Sequence, residues 1–177
     1  MKIAYGSDLH LEFGRIDYSK LVDADTLVLA GDIFVASMHL APFDFFFEQC
    51  SKKYKNIIYI MGNHEHFHGK FHKTYDILKA HLPDNVALLN NETFEYQDVL
   101  FVGGTLWTDA HNRDPITEIV IRNGMNDYAF ITKWTGGNHY RKLHPHDTIL
   151  EHDKTRKYIE LVAAQNRDKK IVVVTHH

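Results

Sequence analysis

One ten-residue stretch, IIYIMGNHEH at 57–66, constrains the fold of this chain more than any other part of its sequence. Its first half is an uninterrupted apolar run, which is typical of a buried strand. Gly62 ends the run, and a glycine lets the backbone turn sharply and lets other groups approach closely. Asn63, His64 and Glu65 follow at once. The sequence therefore predicts polar side chains at the end of a buried strand, where open α/β sheets bind their ligands.

Three other apolar runs end in polar residues of the same kind. Asp8 and His10 follow the first of them, and because they are two residues apart they should project to the same side of an extended backbone. His176 and His177 follow the last run, and strand alternation allows only one of the two to face a common site. The runs and their polar ends are 2–6 with Asp8 and His10, 25–30 with Asp32, and 171–174 with His176 and His177.

Helical patterns separate these runs, and this alternation predicts an α/β fold in which right-handed crossovers make the strands parallel. The polar strand ends should then converge at one edge of one sheet. The helical patterns comprise Phe43, Phe46, Phe47, Cys50 and Tyr54, then Phe71, Tyr75, Leu78 and Leu82 before Pro83, and finally a helix capped by Asp147 that runs to about Asn166.

The middle of the chain is less regular. Short runs at 86–89, 93–96 and 99–102 predict a meander of strands that Gly103 and Gly104 close. From about 110 to 146 the periodicity is weak, so we expect a loop-rich insertion with one or two short helices.

Composition predicts one domain over residues 1–177, because 44% hydrophobic and 24% charged residues are an ordinary globular balance. A net charge of −3 argues against a nucleic-acid binder that works by bulk positive charge. The single cysteine excludes an intrachain disulfide and fits a reducing compartment. The N-terminus lacks a signal-peptide pattern, and no apolar run reaches the ~20 residues of a membrane helix. We therefore predict a cytoplasmic protein without a membrane partner.

Carboxylate, imidazole and amide groups at the strand ends suit a borderline divalent metal such as Mn, Fe, Ni or Zn. No cysteine is among them, which argues against a closed structural zinc site. A serine-hydrolase relay of Ser7, Asp8 and His10 is disfavoured, because the three are too close in sequence and Ser7 and Asp8 point to opposite sides of a strand.

Four motifs in order resemble the calcineurin-like metallophosphoesterase family: D-x-H at 8–10, G-D at 31–32, G-N-H-E at 62–65, and a late strand that ends in T-H-H. Each motif alone is weak, but their order and spacing match along the whole chain. The stretches GGTLWTD at 103–109 and MNDY at 125–128 resemble a bacterial and phage branch of that family. The resemblance implies an α/β/β/α sandwich and metal-dependent hydrolysis of a phosphate mono- or diester.

The resemblance also implies a site with two divalent metal ions. Asp8 and His10 would bind one metal, Asp32 would bridge both, and Asn63 and His176 would bind the second. A hydroxide held between the metals would attack phosphorus. His64 would act as the catalytic proton donor to the leaving oxygen.

The family pattern ends in a G-H-x-H segment, together with the last strands of the second sheet, and this sequence contains neither. Three interpretations follow: a fragment of a longer phosphoesterase, a site completed by another chain or by a second copy, or a short form with a weakened site. Fewer imidazoles imply weak or partial metal occupancy. An incomplete second sheet would expose a strand edge, which favours association such as a homo-oligomer.

Substrate contacts are expected from the insertion, where Trp107, Arg122 and Asn126 are candidates and Arg122 could pair with a phosphate. Packing of the insertion onto the sheet explains the same residues equally well. Glu65 either orients His64 or begins the following helix. Functional alternatives are a remnant or complex subunit that binds metal or phosphate without turnover, and a metal-dependent nuclease, for which nucleic acid would be the substrate.

Overall fold

A parallel sheet carries the first three polar strand ends. In the computed structural model, which describes residues 1–14 and 16–177, this sheet has the order β1-β2-β3-β4 and every neighbouring pair is parallel. The predicted α/β class is therefore confirmed. The strands are β1 (Ile3–Gly6), β2 (Thr26–Ala30), β3 (Asn56–Ile60) and β4 (Val86–Leu89).

The central strands are apolar without alternation because both of their faces are covered. Leu29 and Tyr59 lie on the face of the sheet that helix α1 (Ala41–Lys53) covers, and they pack against the aromatic side chains of that helix. Ile58 and Ile60 point the other way and pack against the second sheet. Both faces exclude water, and burying each aliphatic side chain stabilises the folded state by roughly 1.5–3 kcal/mol.

The second sheet has the order β5-β6-β9, with β5 antiparallel to β6 and β9 parallel to it. Two predictions about strand placement are wrong here. The run at 171–174 does not share a sheet with the other polar strand ends, and 86–89 is a strand of the first sheet rather than part of a meander. The second-sheet strands are β5 (Glu92–Tyr96), β6 (Val99–Thr105) and β9 (Lys170–His176).

The insertion contains more regular structure than its weak periodicity indicates. Besides short helices it holds a β-hairpin, which the sequence analysis missed because its residues are half-exposed and polar. The remaining α-helices and strands are α2 (Thr74–Lys79), α3 (Ala110–Arg113), α4 (Pro115–Gly124), α5 (Asp127–Phe130), β7 (Thr132–Gly136), β8 (His139–Lys142) and α6 (Pro145–Gln165).

Helix α6 covers the outer face of the second sheet, where Val162 packs against Leu100 and Val102. The layers are therefore helix, sheet, sheet and helix, as expected. The prediction that Asp147 is the N-cap is wrong. His144 is the N-cap, and Asp147 completes a capping box from the third helical position by accepting the His144 backbone N–H at 2.9 Å. In the part of the chain that the structure describes, no helix is both long and apolar enough to span a membrane.

Candidate metal centre

The loops that follow β1 and β2 run side by side and bring the first three candidate ligands together. The backbone N–H of Asp8 donates to the Gly31 carbonyl at 3.0 Å, and that of His10 donates to the Asp32 carbonyl at 3.1 Å. Asp8, His10 and Asp32 have φ angles of 55°, 44° and 55°. The expectation of extended backbone at Asp8 and His10 is therefore wrong. Left-handed backbone is costly outside glycine, and such strain concentrates at functional sites.

Two groups of potential metal ligands form at this point, and Asp32 belongs to both. The first is His10, Asp32 and His64, and the second is Asp8, Asp32 and His176. Within each group the donor atoms all lie within 4.8 Å of one another. Oxygen and imidazole donors without sulfur suit a borderline divalent metal. The residues present therefore fit the metal ions that the motifs imply.

The Asp32 carboxylate is the link between the two groups. Its Oδ2 lies 3.8 Å from Nε2 of His10, and its Oδ1 lies 3.4 Å from Nε2 of His176. Burial on its own would raise the pKa of Asp32, but hydrogen bonds from His176 and from the His64 backbone outweigh it and hold the pKa below its usual range. Asp32 is therefore ionised near neutral pH, as a metal ligand must be.

His176 reaches Asp32 from the other sheet. β9 pairs with β6 so that His176 stands opposite Thr105, and the backbone N–H groups of Leu106 and Trp107 donate to the His176 carbonyl at 2.7 and 3.2 Å. Its Nδ1 donates to the Ala30 carbonyl at 2.7 Å, which directs Nε2 towards the site. Burial lowers the pKa of His176, but its hydrogen bond to Asp32 dominates and the pKa rises to about 9.

His177, the other candidate at this strand end, is exposed. Its neighbour His176 has a side chain that is only 9% exposed. The structure thus brings His176, and not His177, to the carboxylate of Asp32.

Two glycines allow these close approaches. A Cβ added to Gly62 would lie 2.1 Å from Oδ1 of Asp32, and one added to Gly31 would lie 2.6 Å from Nδ1 of His176. Both distances are below any real contact. The glycines of the G-D and G-N-H-E motifs therefore make room for the ligands themselves.

Asn63 is the N-cap of the 3-10 helical turn that follows β3, and its side chain lies near Asp127. Burial raises the pKa of Asp127, and the nearby Asn63 side chain opposes the rise. Asp127 lies in the MNDY stretch, and no local pattern links it to Asn63, which is 64 positions earlier.

His64 is the third member of the first ligand group. Its backbone N–H donates to Oδ1 of Asp32 at 2.9 Å, and its ring stacks on Phe67 with centroids 4.1 Å apart. The His64 and His10 rings meet edge to face, 4.4 Å apart. The ring is 22% exposed, so a substrate can reach it.

Glu12 is a functional candidate that the sequence analysis missed. Its Oε1 lies 3.2 Å from Nδ1 of His10 and 3.2 Å from Nδ1 of His64. The only sequence signal was its position two residues after His10, which is not distinctive for a charged residue near the start of a loop.

Glu65 fastens the ends of β2 and β3 together. It is fully buried and accepts hydrogen bonds from the backbone N–H groups of Asp32, Ile33 and Gly62 at 3.1, 2.8 and 2.7 Å. The Tyr59 hydroxyl donates a further bond at 2.8 Å. Burial and the Asp32 charge raise the pKa of Glu65. Glu65 thus positions the backbone that carries Asp32 and contacts no ring nitrogen of His64 among the described residues.

The three candidate substrate residues lie in different surroundings. Trp107 is 6% exposed, packs against Val35 and Tyr128, and forms part of the wall of a cavity of about 390 Å³. Asn126 is exposed and precedes Asp127. Arg122 is exposed on α4 and lines a separate cavity of about 290 Å³ that includes none of the ligand candidates. The structure does not bring Arg122 to this centre.

Two known proteins are similar to this chain over almost its whole length. A curated relative, the uncharacterized protein L509 of Acanthamoeba polyphaga mimivirus, is 31% identical over 198 aligned positions, which cover 99% of this chain and 67% of the relative. The crystal structure of phosphopantetheinyl hydrolase (PptH) from Mycobacterium tuberculosis superposes with a TM-score of 0.68 at 14% identity, covering 99% of this chain and 67% of that one. At that identity the match shows a shared fold.

The family model for the calcineurin-like phosphoesterases matches residues 1–177. The match includes every strand end described above. The chain therefore belongs to the calcineurin-like phosphoesterase family, whose members in general are metal-dependent phosphoesterases.

Proposed function

We propose that this chain hydrolyses a phosphate mono- or diester with the help of two divalent metal ions, of which Mn is the first to test. The observation that carries the proposal is the position of the Asp32 carboxylate, whose Oδ2 faces Nε2 of His10 at 3.8 Å while its Oδ1 faces Nε2 of His176 at 3.4 Å. A carboxylate with two oxygens serves two neighbouring metals. Bound metals would polarise the phosphoryl group and lower the pKa of water, which supplies the nucleophile.

The protein residues divide between holding the metals and moving a proton. Asp8, His10 and Asp32 would hold one metal, and Asp32, Asn63 and His176 would hold the second. His64 would donate a proton to the leaving oxygen, because its ring is partly exposed and its backbone, not its ring, is bound to Asp32.

Hydrolysis of bis-4-nitrophenyl phosphate with added Mn²⁺, after removal of bound metal by a chelator, tests the proposal. The wild-type chain should release nitrophenolate only when metal is returned. Asp32→Ala should lose metal binding and activity together. His64→Ala should lose activity, by roughly 10²- to 10⁴-fold, since general acid catalysis contributes that much.

His81→Ala is the matched control, because His81 pairs with Asp44 on the surface, far along the chain from the strand ends. Its activity should equal that of the wild type. Activity that survives both Asp32→Ala and His64→Ala would reject this assignment. Mn²⁺ binding without turnover of the diester, the monoester or a single-stranded oligonucleotide would favour the non-catalytic alternative.

A further inference from the structure

The Glu12 side chain occupies an unusual position between two imidazoles. It is only 3% exposed, and one of its oxygens, Oε1, lies 3.2 Å from Nδ1 of His10 and 3.2 Å from Nδ1 of His64. The Leu11 backbone N–H donates to the Ile33 carbonyl at 3.0 Å, which ties the segment before Glu12 to the loop after β2. A single carboxylate oxygen thus joins a metal-ligand candidate to the proton-donor candidate.

This arrangement determines which nitrogen each ring offers to the site. A carboxylate can only accept hydrogen bonds, so both Nδ1 atoms must donate to Glu12. In His10 the free nitrogen is then Nε2, which lies 3.8 Å from Oδ2 of Asp32 and 4.0 Å from Oδ1 of Asp8. A carboxylate that holds a ligating imidazole from behind in this way fixes its tautomer and its ring orientation.

The same oxygen also orients His64. Because Nδ1 of His64 donates to Glu12, its other ring nitrogen, Nε2, points away from Glu12. The ring is also confined by Phe67 on one face and by the edge contact with His10. Nε2 is therefore the ring nitrogen that can face the leaving oxygen of a substrate.

Fold stability alone is a poor explanation for Glu12. Its second oxygen, Oε2, is buried, and among the described residues no group donates a hydrogen bond to it. Burying a carboxylate oxygen without a partner costs free energy. Glu12 is present despite this cost, and its other oxygen contacts two histidines of the site. This combination indicates a functional role.

We propose that Glu12 is a positioning residue that acts on both halves of the centre, orienting the His10 ring for metal binding and the His64 ring for proton donation to the leaving oxygen. The part of the proposal that concerns His64 rests on the proposed function. The part that concerns His10 is about metal affinity and does not depend on turnover.

Glu12→Gln tests the charge while keeping the shape. Isothermal titration of the metal-free protein with Mn²⁺ should show affinity reduced by about 10- to 100-fold, the usual effect of losing a carboxylate behind a ligating histidine. Asp44→Asn is the matched control, because it neutralises another carboxylate that contacts a histidine Nδ1, that of His81 at 2.9 Å, on the surface. It should bind Mn²⁺ as the wild type does.

The leaving group provides the second measurement. Glu12→Gln should reduce kcat for a simple alkyl ester, whose leaving oxygen needs a proton, by at least about tenfold more than for a 4-nitrophenyl ester, whose leaving oxygen does not. A purely structural defect would reduce both rates equally. Unchanged Mn²⁺ affinity would overturn the part of the proposal that concerns His10. An equal loss of kcat with both esters would overturn the part that concerns His64.

A third measurement needs no variant and covers the case in which Glu12→Gln does not fold. In ¹⁵N NMR spectra of the metal-free wild type, Nδ1 of His10 and of His64 should each carry a proton. A ring of either residue protonated at Nε2 alone would overturn the proposal. If the wild type cleaves no ester, the proposed function fails, while the Mn²⁺ titration still decides whether Glu12 supports His10.

Discussion

Nε2 of His176, the last residue of β9 in the second sheet, lies 3.4 Å from Oδ1 of Asp32, which follows β2 in the first sheet. The two sheets of the sandwich therefore meet at the candidate metal centre, and each contributes to it. The contact depends on the packing of Val174 with Val28 and Ile60, which sets the distance between the sheets.

Replacement of His176 should empty one of the two metal positions. His176→Ala removes the only ligand candidate that β9 brings to Asp32 among the described residues, so bound Mn²⁺ per chain, measured by elemental analysis, should fall. His177→Ala is the adjacent control and should leave the metal content unchanged, because His177 is exposed. A larger loss with His177→Ala than with His176→Ala would contradict this placement.

Gly62→Ala should disable the centre without touching a ligand. The new methyl group would lie 2.1 Å from Oδ1 of Asp32, so the carboxylate has to move. We expect lost Mn²⁺ binding in the titration and a lower free energy of unfolding by about 1–3 kcal/mol, as for other forced overpacking.

Gly6→Ala is the matched control for this prediction, since a Cβ there meets nothing within 4 Å. It should retain both metal affinity and stability. Normal Mn²⁺ binding by Gly62→Ala would show that Asp32 does not need the space that Gly62 leaves.

Asp147 should matter for stability and not for chemistry. Its buried carboxylate accepts hydrogen bonds from Arg141 at 2.6 and 2.8 Å and from Lys133 at 2.9 Å, tying β7 and β8 to the start of α6. Burial acts to raise the pKa of Asp147, but the hydrogen bonds from Arg141 and Lys133 outweigh it and hold the pKa well below its usual range. Asp147→Asn should reduce the free energy of unfolding by about 2 kcal/mol, because two partly buried cations lose their partner.

The reduction is measurable by urea denaturation, and Glu160→Gln serves as the control. Glu160 forms an exposed pair with Arg156 on the same helix, and exposed pairs contribute little. A result in which both variants unfold at the wild-type urea concentration would show that the hairpin does not depend on Asp147.

His66 should make the fold sensitive to acid. It is 3% exposed, contacts the Thr74 hydroxyl at 2.9 Å and stacks on Phe71, and burial lowers its pKa to about 3 from an ordinary 6.5. As the pH falls below 6.5, the unfolded chain takes up a proton at this ring while the folded chain does not. Stability must therefore decrease between pH 6.5 and about 3, by up to about 1.4 kcal/mol per pH unit from this group.

His66→Phe keeps a ring on Phe71 and removes the titration. Urea denaturation at several pH values should give a shallower loss of stability in His66→Phe than in the wild type below pH 6.5, and parallel curves above it. Because all other histidines are common to both proteins, their contributions cancel in the difference. Equal slopes below pH 6.5 would mean that His66 becomes protonated within the folded protein.

The sequence alone was sufficient to predict a strand and its polar end wherever the strand is buried on both faces and is followed by glycine. The runs before Asp32 and Asn63 are apolar without alternation because helix α1 covers one face and the second sheet covers the other. That pattern is local, so it predicted the strands, their parallel order and the polar ends. The hairpin at 132–142 was missed because its strands are half-exposed and short, and no periodicity distinguishes them.

The stretch IIYIMGNHEH shows the same division at the level of single residues. Its sequence determined a buried strand, a glycine and a polar trio behind it. Only the tertiary structure decided what each member of the trio contacts: Asn63 lies near Asp127, His64 shares Glu12 with His10, and Glu65 binds the backbone around Asp32. These partners lie between 33 and 64 positions away along the chain, so packing, and no local pattern, brings them together.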